Sequence, residues 1–129
     1  MDGSIADNLR LAAPDAQDED IRRVLGTVGL GETFTGERLT RRIGESGLNI
    51  SGGERQRIAI AQCLLRGASV ILLDEATSQL DETNQQNIRD VFRRLCDNGT
   101  TIISVAHRSK FNEGADYRYE LKTKTSGFH

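Results

Sequence analysis

Two adjacent carboxylates, Asp74 and Glu75, follow directly after the apolar run Val70 to Leu73. Such a β-branched and aliphatic run is typical of a buried parallel strand, and open α/β sheets bind their ligands at the carboxyl ends of strands. Asp74 offers the hard oxygen that Mg²⁺ prefers, and Glu75 could orient or deprotonate an attacking water. The residues alone leave the alternative open that the two acids merely cap the following turn.

A histidine, His107, lies just beyond a second predicted strand over Thr100 to Val105. A helix predicted over Asp81 to Asp97 connects the two strands, so together they form a βαβ unit whose parallel strands end at one edge of the sheet. The imidazole is therefore expected near the carboxylate pair, where it could hydrogen-bond a terminal phosphate and the attacking water. A surface histidine in a loop is the alternative, and helix N-capping alone accounts for Asp81.

The segment NISGGERQR begins a helix predicted from Ser51 to about Arg66. Ser51 and Glu54 satisfy the S-x-x-E capping box. Capping does not require two glycines in the first turn, where each costs about 1 kcal/mol relative to alanine. Gly52 and Gly53 expose backbone N–H groups at a helix N-terminus, where the dipole favours an anion. A phosphate-binding helix start therefore explains the whole segment, whereas a capping box explains half of it.

The remaining elements are those that must position these residues. Turn signals, acidic first turns and apolar spacing predict them. A Ser4–Asp7 capping box opens a short helix that runs through Leu11, and Pro14 with the acids after it opens a second helix that Gly29 ends. A loop with at most one short turn is predicted over Gly31 to Asn49, and a weaker edge strand over Tyr117 to Thr123. The helix from Ser51 is apolar on nearly every side and is expected to be largely buried after its first turn.

The composition indicates one small soluble domain with a core. The chain has 129 residues, of which 36% are hydrophobic and 28% charged, and its net charge is −2. This balance gives little electrostatic attraction to nucleic acid, so we expect no nucleic-acid partner. No apolar run is long enough to cross a bilayer and no signal peptide is evident, so membrane association is expected to come through another chain or segment. Cys63 and Cys96 are expected to be reduced, buried core thiols.

In combination, ISGGERQR, then VILLDEATSQLD, then SVAHR resemble the ATP-binding-cassette (ABC) ATPases over residues 1 to about 107. The resemblance implies an α/β, partial P-loop NTPase fold, with a helical signature subdomain over 1–67 and a parallel βαβ core fragment over 68–129. It implies ATP and Mg²⁺ as ligands. The implied roles are Ser51, Gly52, Gly53 and Glu54 as the signature that contacts the terminal phosphate of ATP held by the opposing subunit, Asp74 as the Walker B aspartate acting on Mg²⁺, Glu75 as the general base, Ser78 and Asp81 as D-loop residues at the dimer interface, and His107 as the switch histidine.

Two further segments resemble the exporter-type members of that family. Ile43 to Gly47 is similar to the loop that touches their transmembrane domain, and GSIADNLRLA is similar to the segment after their Q-loop. The resemblance implies a head-to-tail dimer of nucleotide-binding domains that hydrolyses ATP to drive export, at the cytoplasmic face of the membrane. A flexible glycine loop and an ordinary short helix are the alternatives for the two segments.

The chain also departs from the family pattern. It contains no GxxxxGK[ST] loop, and its lysines are Lys110, Lys122 and Lys124, none of which follows a glycine. Glu54 stands where glutamine is more usual and adds negative charge near a phosphate. We therefore expect this chain alone to be inactive. Without the P-loop strand, the sheet should expose apolar edges, so we also expect self-association or a rearranged sheet.

Two other functions stay open from the sequence. One is a cassette ATPase of DNA repair or translation without a membrane partner, which the exporter-like loop and the lack of coiled-coil heptads disfavour. The other is a truncated, non-catalytic module that pairs with intact domains through Ser51 to Glu54.

Overall fold

The computed structural model describes residues 2–44, 48–74 and 82–105 of the chain. Its elements, in chain order, are α1 (Ile5–Ala12), α2 (Asp18–Thr27), α3 (Glu37–Thr40), α4 (Gly52–Leu65), β1 (Val70–Asp74), α5 (Glu82–Asp97) and β2 (Thr101–Val105). Within these ranges, no helix has the length and apolar character needed to cross a membrane. The edge strand predicted over Tyr117 to Thr123 lies outside the described residues.

The first two helices have most of the signals that the sequence predicted, but α2 begins at Asp18, so Pro14 and Asp15 lie in the turn before it. The Ser4 hydroxyl accepts a hydrogen bond from the Asp7 amide at 3.0 Å, and the Asp7 carboxylate accepts one from the Ser4 amide at 3.0 Å, which confirms the capping box. Helix α2 ends at Thr27 with Val28 as its C-cap, and the next residue, Gly29, has a φ of 77°, the left-handed conformation that favours glycine. The Leu30 amide then bonds to the Leu25 carbonyl at 2.7 Å, as in a Schellman motif.

The two strands form a parallel pair joined through α5, which confirms the predicted βαβ unit. Val70 pairs with Thr101, and Leu72 pairs with Ile103. Residues directly opposite each other point to the same face of a sheet, and so do residues two apart along a strand. Val70, Leu72 and Ile103 therefore share one face, and they are 55%, 71% and 49% exposed. On the other face, Ile71 is buried in the core.

The hydrophobic core lies where the helices meet the inner face of the sheet. Helix α4 packs against α1, α2 and α5. The buried cluster comprises Ile5, Leu9, Ile21, Val24, Leu25, Val28, Leu30, Phe34, Leu48, Ile58, Ile60, Ala61, Ile71, Val91 and Leu95. Three of these, Leu30, Phe34 and Leu48, belong to or border the segment that the sequence presented as a plain loop. The core is thus built from both halves of the described chain.

Three expectations about burial are only partly met. Strand β1 was expected to be buried, but Val70 and Leu72 are 55% and 71% exposed, and Ile71 on the other face is buried. Helix α4 was expected to be buried after its first turn, but Ala59 is exposed and Leu64 and Leu65 are half-buried. The reason is that α1, α2 and α5 pack against only part of the surface of α4 and leave the rest uncovered. Cys63 and Cys96 are free thiols, as expected, yet they are half-buried rather than buried.

Candidate functional site

The first turn of α4 forms the capping box that the sequence predicted. Ser51 is the N-cap residue, with extended backbone angles of φ −71° and ψ 163°. Its hydroxyl oxygen accepts a hydrogen bond from the Glu54 amide at 3.1 Å. In return, Oε1 of Glu54 accepts one from the Ser51 amide at 3.0 Å. The Arg55 amide bonds to the Ser51 carbonyl at 2.9 Å and begins the regular helical ladder.

The capping box does not use the two glycine amides of the turn. Gly52 and Gly53 are the first two residues of the helix, and among the described residues neither amide has an acceptor within hydrogen-bond distance. Amides in this position carry the positive end of the helix dipole and are suited to an anion such as a phosphate. Ser51 and Gly52 are exposed, whereas Gly53 is buried. Capping and anion binding therefore use different N–H groups of one turn, and the two interpretations of this segment are compatible.

Arg57 lies one turn behind the glycine pair, and sequence reasoning did not identify it. Its side chain is only 7% exposed, and its Nε donates to the Gly53 carbonyl at 3.3 Å. The pKa of the Arg57 guanidinium is below its usual value because burial lowers it by more than the nearby Glu54 carboxylate raises it. Arginine nevertheless stays protonated in proteins, so the turn has a buried positive charge behind it. The signal in the sequence was an arginine four residues after a glycine, directly before the apolar run Ile58 to Ala61.

The carboxyl ends of the two strands meet at one edge of the sheet. Asp74 and Val105 are the last residues of β1 and β2, and they are paired in register. This agrees with the expectation that the segments following the two strands start from the same edge. Glu75, Ser78, Asp81 and His107 lie outside the described residues, so their positions stay predictions. Within the described ranges, no group of three or more His, Cys, Asp or Glu residues could hold a metal ion, and Mg²⁺ binding at Asp74 likewise stays a prediction.

Comparisons with known proteins agree on one family. Residues 2–78 match the family model described as ABC transporter. The chain is 41% identical over 118 residues to the ATP-dependent lipid A-core flippase of Neisseria meningitidis serogroup B, covering 90% of this chain and 19% of the flippase. It is 39% identical over 121 residues to human ATP-binding cassette sub-family B member 6, covering 92% of this chain and 14% of that protein. The chain therefore belongs to the ABC transporter family.

A solved structure agrees with this assignment. The structure of a bacterial Atm1-family ABC exporter with ATP bound superposes with a TM-score of 0.71 at 29% sequence identity, covering 88% of this chain and 20% of that one. The predicted fold class, a partial ABC ATPase fold with helices followed by a parallel βαβ fragment, is thereby confirmed. The chain spans a fifth or less of the length of each of these proteins.

Proposed function

We propose that this chain is part of the nucleotide-binding domain of an ABC exporter and takes part in ATP binding and hydrolysis in a head-to-tail dimer. The observation that carries the proposal is the first turn of α4. Ser51 is the N-cap residue there, and it is followed by two glycine amides with no acceptor among the described residues. Ser51, Gly52 and Gly53 bind the terminal phosphate of an ATP molecule held by the opposing domain. The Ser51 oxygen already accepts from the Glu54 amide, so its hydroxyl proton can be donated to that phosphate.

The sheet edge supplies the hydrolytic groups in this proposal. Asp74 acts on Mg²⁺, which when bound neutralises phosphate charge. Glu75 is the general base that orients and deprotonates the attacking water. His107 hydrogen-bonds the terminal phosphate, and Ser78 and Asp81 lie at the interface between the two domains. The register of β1 with β2 supports a common edge for these groups, because both preceding strands end together.

The partners and the location follow from the same proposal. The domain acts at the cytoplasmic face of a membrane, attached to the transmembrane domain of the exporter and paired with a second nucleotide-binding domain. Residues 1–67 form the helical signature subdomain and residues 68–129 part of the ATPase core. The named relatives, a lipid A-core flippase and an Atm1-family exporter, support export over DNA repair or translation. We propose no nucleic-acid partner, because a net charge of −2 gives little attraction to a polyanion.

A chimeric exporter tests the proposal. In the flippase chimera, the aligned residues of the Neisseria meningitidis flippase are replaced by the matching residues of this chain, and Mg²⁺-dependent phosphate release is measured. We expect the chimera to hydrolyse ATP. Glu75→Gln should lower the rate at least about a hundredfold by removing the base, and Ser51→Ala should lower it about tenfold or more by removing a phosphate donor.

The matched control is Arg22→Ala, which alters an exposed side chain of α2 and should leave the rate of the chimera unchanged. If the chimera hydrolysed ATP equally well with Glu75→Gln and Ser51→Ala, the proposed function would be wrong.

A further inference from the structure

We propose that Arg57 is a positioning residue that fixes the phosphate-binding turn at Gly52 and Gly53; the inference rests on the proposed function. Three observations support it: the burial of the Arg57 side chain, its hydrogen bond to the Gly53 carbonyl, and its contact with the end of α2. Arg57 does not touch the nucleotide in this proposal. It acts through the backbone of Gly52 and Gly53, which binds the phosphate.

The turn needs such support because it consists of glycines. Glycine restricts the backbone least, so two in succession at the start of a helix make this turn prone to fray. The Gly53 carbonyl belongs to the peptide group that also carries the Glu54 amide, the donor to Ser51 Oγ. A bond from Arg57 Nε to that carbonyl at 3.3 Å therefore fixes the peptide plane that ends the glycine pair. Because this peptide group follows directly after Gly53, the bond also restrains the backbone of the residue whose N–H a phosphate would meet.

The direction of the side chain follows from helix geometry. Side chains on a helix tilt toward its N-terminus, so a residue four positions later covers the preceding turn. Arg57 is four residues after Gly53 and reaches back to it, which points its guanidinium toward the start of α4. Because the side chain is 7% exposed, water does not compete for the Gly53 carbonyl as it would at the surface.

Arg57 also lies next to the end of α2. A Cβ atom added to Gly29 would lie 3.6 Å from Arg57 Nη1, so the guanidinium lies beside Gly29, just beyond the end of α2. Gly29 has φ 77°, the conformation that ends α2. Arg57 thus joins the phosphate-binding turn of α4 to the C-terminal end of α2, and α2 is anchored in the core through Ile21, Val24 and Leu25. Through Arg57, the glycine turn is connected to a helix that is packed in the core.

The flippase chimera with Arg57→Met or Arg57→Lys tests this role. Both variants lose the planar guanidinium that donates to Gly53, and Arg57→Lys keeps the charge and most of the volume. We expect kcat/KM for ATP to fall at least about tenfold in both, since small misplacements of binding groups are costly. The melting temperature without nucleotide is measured in parallel, and rates are compared well below it.

The matched control is Gln62→Leu on the same helix. Gln62 Nε2 donates to the Asn8 carbonyl at 2.8 Å and so has a structural contact of similar kind, away from the glycine turn. It should lower the melting temperature and leave kcat/KM within about twofold of the parent. If Arg57→Lys also lowered only the melting temperature, Arg57 would be a structural residue and the inference would be wrong. Should Arg57→Met fail to fold, Arg57→Lys decides the outcome.

The Ser51→Ala and Glu75→Gln chimeras separate this inference from the proposed function. If both lose activity while Arg57→Lys retains it, the positioning role fails and the proposed function stands. If both retain activity, the proposed function fails, and the positioning role fails with it.

Discussion

The guanidinium of Arg94, on α5, donates through Nη1 to the main-chain carbonyl of Thr27 at 2.8 Å, and to that of Gly26 at 3.3 Å. These carbonyls belong to the last turn of α2, at the negative end of the helix dipole, and the Gly26 carbonyl also accepts from the Gly29 amide at 3.1 Å. The bond joins residues 67 positions apart and attaches the helix between the two strands to the N-terminal helices.

Replacing this arginine should therefore weaken the fold. We expect Arg94→Ala to lower the free energy of unfolding by about 0.5–1 kcal/mol, a modest value because Arg94 is exposed. Urea unfolding followed by circular dichroism measures the change. Arg22→Ala, an exposed arginine in the middle of α2, is the control. Equal stability of the two variants would show that the contact with Thr27 contributes nothing.

The cap of α1 predicts a loss of stability in acid. Hydrogen bonds from the Ser4 amide and hydroxyl, with a smaller contribution from Arg10, lower the pKa of Asp7 below 3.8. Because the folded-state pKa is below the unfolded value, this stabilisation is complete above that value and is lost as the pH falls through the folded-state pKa. Asp7→Asn should therefore unfold with a weaker pH dependence between about pH 5 and about pH 2.

Unfolding free energies of both proteins over that pH range provide the measurement. Asp15→Asn, outside the helix cap, controls for the change in net charge. Identical pH dependence in the wild type and in Asp7→Asn would contradict the assignment.

The exposed apolar face of the sheet predicts self-association of the isolated chain. Leu72 and Ile103 are directly opposite each other on that face and are 71% and 49% exposed. A contiguous apolar patch tends to be covered by another copy, whereas single exposed apolar residues are ordinary. We expect Leu72→Ser combined with Ile103→Thr to shift the chain toward monomer in sedimentation velocity. Leu11→Ser, at an isolated residue that is 75% exposed, should have no such effect. A wild-type chain that is monomeric at every concentration would refute the prediction.

The isolated chain should hydrolyse no ATP at a detectable rate. Its sequence has no GxxxxGK[ST] loop to cradle the phosphates, and the signature turn is proposed to act on nucleotide held by another domain. Phosphate release by the purified chain with Mg²⁺ and ATP measures this. Mg²⁺-dependent turnover that Glu75→Gln abolishes would overturn the expectation.

Local signals in the sequence predicted most of the helices and strands. Ser4 and Asp7 mark the start of α1, and Gly29 marks the end of α2, because capping and left-handed glycines depend on residues close in sequence. The spacing of Ile88, Val91, Phe92 and Leu95 also predicts one apolar side of α5; Ile88, Val91 and Leu95 are buried, and Phe92 is half-buried. These features need no knowledge of the rest of the chain.

Burial outside regular elements was not predictable in the same way. Phe34 is only 2% exposed although it lies in a segment rich in glycine, threonine and charge. No periodicity marks it, since its burial depends on how distant helices pack around it. The burial of Arg57 at the candidate site was not predictable for the same reason. Its spacing from Gly53 was readable, but Gly29, which lies beside its guanidinium, follows another helix.

The make-up of the core also has a consequence for how the chain is made. Ile5 near the start shares one buried cluster with Val91 and Leu95 on α5. A ribosome therefore releases the apolar side of the first helix well before it has synthesised the residues that complete its surroundings. During translation this side is exposed to chaperones and to neighbouring nascent chains, and the final packing waits for the fifth helix to emerge.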